Sequence, residues 1–133
     1  MEDKFVLVKK AYDNAYAKYS NFKVGAVVLL KNGEYFLGSN IENASYGLTN
    51  CAERSALFAA YSNGYRKEDI LELVVIASTE YPVSPCGACR QVISELMEQE
   101  AIVTMTNLKG LVKTVKVKEL IPFCFDEGDL NDK

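Results

Sequence analysis

Segments with a helical repeat of apolar residues alternate with short strand-like runs along this chain. That order restricts it to a sheet with helices packed on its faces. Phe5, Val8, Tyr12, Ala15, Tyr16 and Tyr19 recur at three- and four-residue steps, which predicts one face of an amphipathic helix ended by Ser20-Asn21, with Tyr12, Tyr16 and Tyr19 in the core. Residues 23–30 and 35–41 read as two strands around Asn32-Gly33, a two-residue hairpin signal. Residues 43–50 are polar and read as a loop. A helix is expected over 51–62, where Ala52, Ala56, Leu57 and Ala60 supply the apolar positions and Asn63-Gly64 the stop. Residues 73–77 are continuously apolar and read as a buried strand. Ser84-Pro85 resembles an N-cap followed by the first residue of a helix running to about residue 99. Two more strands are expected over 101–106 and 111–117, and no element is assigned beyond Pro122. The expected fold class is α/β: a three-layer α/β/α sandwich around a mixed sheet of about five strands, in one domain over residues 1–133.

Charge and composition remove several function classes. The net charge of −3 is spread along the chain, and its basic stretches are pairs such as Lys9-Lys10 and Arg66-Lys67. No basic stripe suits a nucleic-acid polymer. The N-terminus lacks the apolar stretch of a signal peptide, and no apolar run approaches the roughly 20 residues of a membrane span. A cytoplasmic protein is therefore expected, in which the four Cys are thiols or metal ligands rather than disulfides. There is no His, which excludes Ser-His-Asp and Cys-His catalysis and every imidazole-based metal site.

The remaining chemistry concentrates at two predicted helix starts, Cys51-Ala52-Glu53-Arg54 and Pro85-Cys86-Gly87-Ala88-Cys89-Arg90. Cys86 and Cys89 are three residues apart and share one face of a helical turn. If the two starts converge, Cys51 joins them around one metal. Zinc accepts thiolates tetrahedrally, and a catalytic zinc keeps one position for water. Glu53, two residues from a ligand, is placed to move protons. Three thiolates give Zn²⁺ a formal charge of −1; two helix N-termini and the neighbouring Arg54 can offset it by hydrogen bonds to sulfur.

These motifs match the zinc deaminase pattern of Cys or His, any residue, Glu, and a later Pro-Cys-x-x-Cys. The chain more widely resembles the small homotetrameric cytidine deaminases. The matching stretches begin at Tyr19-Ser20-Asn21-Phe22-Lys23-Val24-Gly25-Ala26 and continue at Gly38-Ser39-Asn40-Ile41-Glu42-Asn43-Ala44-Ser45-Tyr46-Gly47. Cys51-Ala52-Glu53-Arg54-Ser55-Ala56 and Ser84-Pro85-Cys86-Gly87-Ala88-Cys89-Arg90-Gln91 follow in the same order.

The resemblance implies hydrolytic deamination of free cytidine and deoxycytidine in pyrimidine salvage, with one Zn²⁺ per chain on Cys51, Cys86 and Cys89. It implies that Glu53 is general acid and base, that the Ala52 N–H holds the base and that Phe22 stacks on it. Asn40 and Glu42 would bind ribose hydroxyls; two apart on a strand, they share a face and pair an amide with a carboxylate. It also implies a homotetramer in which Tyr46, Phe125 and the tail after about residue 122 complete a neighbouring subunit's site. Phe123 competes with Phe125 for that role.

Other readings stand beside these. Glu53 could close a capping box with Asn50. Cys86 and Cys89 could be a redox pair of a thiol oxidoreductase. Cys124 could be the fourth ligand of a closed, non-catalytic zinc module, although between two Phe it reads better as a small buried hydrophobe. Arg54 could be solvated, Phe22 core, and Asn40 and Glu42 strand-end polar residues. A deaminase for another cytosine nucleoside, such as a blasticidin-type antibiotic, would share Cys-Ala-Glu and Pro-Cys-x-x-Cys. The Arg54, Phe22 and Asn40-Ile41-Glu42 stretches favour cytidine.

Overall fold

A computed structural model describes residues 3–131. Helix α1 (Lys4–Asp13) starts at Asp3, whose side chain accepts the Phe5 N–H at 2.8 Å and satisfies one of the unpaired first-turn amides. It ends at Asn14, earlier than its periodicity predicts. Tertiary backbone bonds claim the residues that follow. The Tyr16 N–H donates to the Asn40 carbonyl and the Tyr16 carbonyl accepts the Glu42 N–H, both at 2.9 Å. Tyr16 and Tyr19 consequently lie outside the helix, about half-exposed, and are not core.

Strands β1 (Val24–Leu30) and β2 (Tyr35–Ser39) form the expected antiparallel hairpin. The turn differs from the two-residue form. Gly33 N–H donates to the Leu30 carbonyl and Leu30 N–H to the Glu34 carbonyl, so Lys31, Asn32 and Gly33 make a three-residue loop. Among the loop's residues only Gly33 has a positive φ, 92°, as a turn closing on a glycine bulge requires.

Then come α2 (Ala52–Ser62), β3 (Ile70–Ala77), α3 (Gly87–Leu96), β4 (Ile102–Asn107), β5 (Val112–Lys116) and a short α4 (Glu127–Asn131) in the unassigned tail. The sheet order is β2-β1-β3-β4-β5, with β3 and β4 parallel and every other pair antiparallel. This is the expected mixed sheet of five strands. α3 supplies the crossover that a parallel pair needs. β3 is apolar on both faces because both are covered. Leu73 and Val75 join the core shared with α2 and α3, and Val74 and Ile76 the smaller core under α1. Lys4 of α1 reaches across to the buried Glu72 of β3 at 2.9 Å, and the Thr104 hydroxyl donates to the same carboxylate.

Gly38 sets how closely α2 lies on the sheet. A Cβ there would stand 2.3 Å from the Ala52 carbonyl oxygen and 2.4 Å from the Ala56 nitrogen, both backbone atoms that cannot swing aside. Gly38→Ala is expected to cost at least the roughly 1–3 kcal/mol typical of overpacking. The check is a lowered denaturant midpoint at unchanged m-value. Because the strain falls on the first turns of α2, metal retention should fall with it.

α3 begins two residues later than Ser84-Pro85 suggests. Cys86 is its N-cap, its sulfur accepting the Cys89 N–H at 3.5 Å. Ser84 does not cap: its hydroxyl accepts from the Arg90 guanidinium. The helix ends at Leu96, three residues short of the expected stop.

Candidate metal centre and active site

The N-termini of α2 and α3 meet. Cys51 is the N-cap of α2, Cys86 the N-cap of α3, and Cys89 lies one turn into α3, fully buried. Their sulfurs lie within 4.8 Å of one another, and the Cys51 and Cys86 sulfurs stand 3.9 Å apart. Two thiolates on a tetrahedral zinc at about 2.3 Å stand about 3.8 Å apart. The donor set thus fits zinc in number, element and spacing. Among the described residues this is the one Cys or carboxylate group so arranged. Cys124 stays outside it, half-buried, with its thiol donating to the Gln91 side-chain oxygen at 3.4 Å. It is neither a fourth ligand nor a buried hydrophobe.

Arg54 donates from Nη2 to the Cys51 sulfur at 3.2 Å. Its Nε is buried without a hydrogen-bond partner among the described residues. Without metal, the neighbours of Cys51 make its thiol more acidic. A hydrogen bond from Cys89 and then Arg54, against the opposing effect of burial, lower its pKa to about 5. Cys89 is pushed up, chiefly by the same bond and by burial.

Glu53 is 5% exposed. Burial raises its pKa to about 7, the charge of Cys51 adds to this, and its own backbone N–H opposes it. A carboxyl poised near neutrality can both take and give a proton. The capping-box reading fails, because Cys51 rather than Asn50 is the cap and the Asn50 amide donates to the Ser55 hydroxyl at 3.0 Å.

A cavity of about 300 Å³ opens in front of these groups. Cys51, Ala52, Glu53 and Cys86 form its floor, and Phe22, Asn40, Glu42 and Tyr46 stand around it. Phe22 is 42% exposed, so it is not core. Asn40 and Glu42 are buried just beyond β2. The Asn40 amide donates to the Phe22 carbonyl and accepts the Val24 N–H, both at 2.9 Å, which fixes the Phe22 backbone and leaves one amide hydrogen. Tyr46 sits on a single 3₁₀ turn and is largely exposed. Phe125 does not line the cavity of its own chain; it is exposed, with its carbonyl accepting from the Gln91 amide at 2.9 Å. Phe123 is fully exposed.

Sequence reasoning assigned no role to Arg90. Its guanidinium donates to the Pro85 and Leu120 carbonyls, each at 2.8 Å, and to the Ser84 hydroxyl. It thereby braces the turn that delivers Cys86. The Leu120 contact spans 30 residues, beyond any local pattern. Ser20 belongs to a matching stretch, but its own sequence context points to no functional role. It lines the cavity and bonds to Glu42, and its only local signal is the Phe22 N–H that it accepts at 3.0 Å.

Residues 2–106 match the model of the cytidine and deoxycytidylate deaminase zinc-binding region. The chain is 50% identical to the cytidine deaminase of Halalkalibacterium halodurans, over 98% of this chain and 99% of the relative. It is 50% identical to that of Sporosarcina psychrophila, over 92% and 89%. The crystal structure of the cytidine deaminase from Burkholderia pseudomallei is similar with a TM-score of 0.88 at 46% identity, over 93% of this chain and all of that one.

Proposed function

This chain belongs to the zinc-binding cytidine and deoxycytidylate deaminase family, and from that membership we propose that it hydrolyses free cytidine and deoxycytidine to the uridine products with release of ammonia. One observation carries the reading: a buried carboxyl, Glu53, faces the same cavity as two of the three convergent thiols, Cys51 and Cys86, and the Phe22, Asn40 and Glu42 side chains.

Cys51, Cys86 and Cys89 would hold the zinc. When bound, the metal supplies Lewis acidity that brings the ionisation of water towards neutrality. Arg54 and the two helix N-termini offset the excess negative charge of the thiolates. Glu53 takes a proton from the attacking water and delivers it to N3 of the base. It then carries the second proton to the amine at C4, so that water enters as the C4 oxygen and ammonia leaves. The Ala52 N–H, in the unpaired first turn of α2, holds the base, and the Phe22 ring packs on its face. Asn40 and Glu42 take the sugar hydroxyls.

Phe125, exposed in the single chain, and Tyr46, which also stands at the cavity of its own chain, would complete the site of a neighbouring copy in a homotetramer, with the tail after about residue 122 as the crossing segment. Among the described residues no helix is long and apolar enough to cross a membrane. By family membership the reading is of a cytoplasmic enzyme of pyrimidine salvage that acts on nucleosides rather than polymers.

The test is the near-ultraviolet spectrum of cytidine mixed with the protein. The expected result is a steady change to the uridine spectrum, abolished by preparation with a strong chelator and restored by zinc. No change with zinc-loaded protein would overturn the assignment of cytidine as substrate.

A further inference from the structure

Ser20 holds a junction between the two parts of the cavity assigned to sugar and base. Its N–H and that of Tyr19 donate to Glu42 Oε1 at 3.0 and 2.9 Å, and its hydroxyl donates to Glu42 Oε2. The same hydroxyl accepts the Phe22 N–H at 3.0 Å. Asn21, between them, is in the left-handed region at φ 58°, and this conformation turns Ser20 and Phe22 towards one cavity. The hydroxyl has one hydrogen, and Glu42 takes it. A carboxylate accepts about four hydrogen bonds; these contacts fill Oε1 and half of Oε2. Ser20 therefore decides where the last acceptor position of Glu42 points. The same hydroxyl holds the Glu42 carboxyl below its ordinary pKa, which keeps it ionised as an acceptor. Beside it Asn40 keeps one free amide hydrogen. A sugar hydroxyl can donate to the first and accept from the second.

We propose that Ser20 is a positioning residue for sugar recognition: its hydroxyl aims the remaining acceptor position of Glu42 at a hydroxyl of the nucleoside. The proposal rests on the deaminase reading above and on the sugar-binding role given there to Glu42. It predicts that Ser20 matters for nucleosides with a 2′- or 3′-hydroxyl and little for those without either.

The experiment compares kcat/KM for cytidine and 2′,3′-dideoxycytidine in the zinc-loaded wild type, Ser20→Ala, Ser20→Cys and Glu42→Gln. The wild type is expected to prefer cytidine. Ser20→Ala should lose about tenfold of that preference, the size of one hydrogen bond to a charged group, through KM for cytidine. Ser20→Cys, nearly isosteric with a weaker donor, should fall between, and it keeps the comparison available if the alanine variant folds poorly. Wild-type preference in both Ser20 variants while Glu42→Gln loses it would overturn the role of Ser20. So would an equal loss on both substrates, which would place its effect in Phe22 and the turn. Preference retained by Glu42→Gln would overturn the sugar role of Glu42 and the proposal with it. Absence of turnover with either nucleoside in the wild type would instead overturn the deaminase reading.

Discussion

Glu53→Gln is expected to bind zinc as the wild type does and to lose roughly 10²–10⁴-fold in kcat, the usual contribution of a positioned general acid and base. The substitution keeps the side chain's volume in a site where Glu53 is 5% exposed, so the packing of α2 on the sheet should survive. What it removes is the ability to exchange a proton. An amide can still hydrogen-bond to water or to N3, but it can neither accept the water proton nor pass it on. The loss corresponds to about 3–5 kcal/mol of barrier at 1.36 kcal/mol per tenfold. Because the cost falls on the chemical steps, kcat should carry it and KM should move little. Metal analysis and kinetics on the same preparation check this. Near-normal turnover would remove Glu53 from the proton path, and loss of zinc together with activity would make it a support of the metal site.

Much of this site was legible in the sequence because its signals are local. The spacing of Cys86 and Cys89 places two sulfurs on one turn, and Cys51-Ala52-Glu53 puts a carboxylate two residues from a third. That the two helix starts meet is a tertiary fact. The alternation of helices and strands permits it, but the sheet order and the close seat of α2 over Gly38 produce it. The errors have the same origin. Tyr16 and Tyr19 keep a helical spacing from Phe5, yet the chain leaves the helix at Asn14 because the backbone at residues 40 and 42 bonds Tyr16. Ser84-Pro85 has the chemistry of a helix start, but Arg90 takes the Ser84 hydroxyl and the Pro85 carbonyl, and Cys86 caps the helix instead. Ser20 and Glu42 are 22 residues apart, and no periodicity links them.

Replacing any one of Cys51, Cys86 or Cys89 by Ala should abolish stable zinc binding and with it turnover, whereas Cys124→Ala should keep about one zinc per chain. A tetrahedral catalytic site has three protein ligands and no spare, and among the described residues no further Cys or carboxylate joins the cluster. The three ligand variants should nevertheless differ in the metal-free chain. Cys51→Ala removes the sulfur that accepts from Arg54, whose Nε is already buried without a partner. A hydrogen bond to a charged group contributes about 1.5–3 kcal/mol, so this variant should melt lowest. Cys86→Ala gives up a weak sulfur cap and the long contact to the Cys51 sulfur, both on an exposed side chain. Cys89→Ala empties a fully buried position between the helices, a small cavity, and should lie between them. Zinc content after dialysis against a chelator, with unfolding of the stripped proteins, reads both effects. Loss of zinc in Cys124→Ala would place the fourth thiol in the metal centre and turn an open catalytic site into a closed structural one. Retention of zinc in Cys51→Ala would reduce the centre to the Cys86–Cys89 pair and revive the redox reading of those two residues.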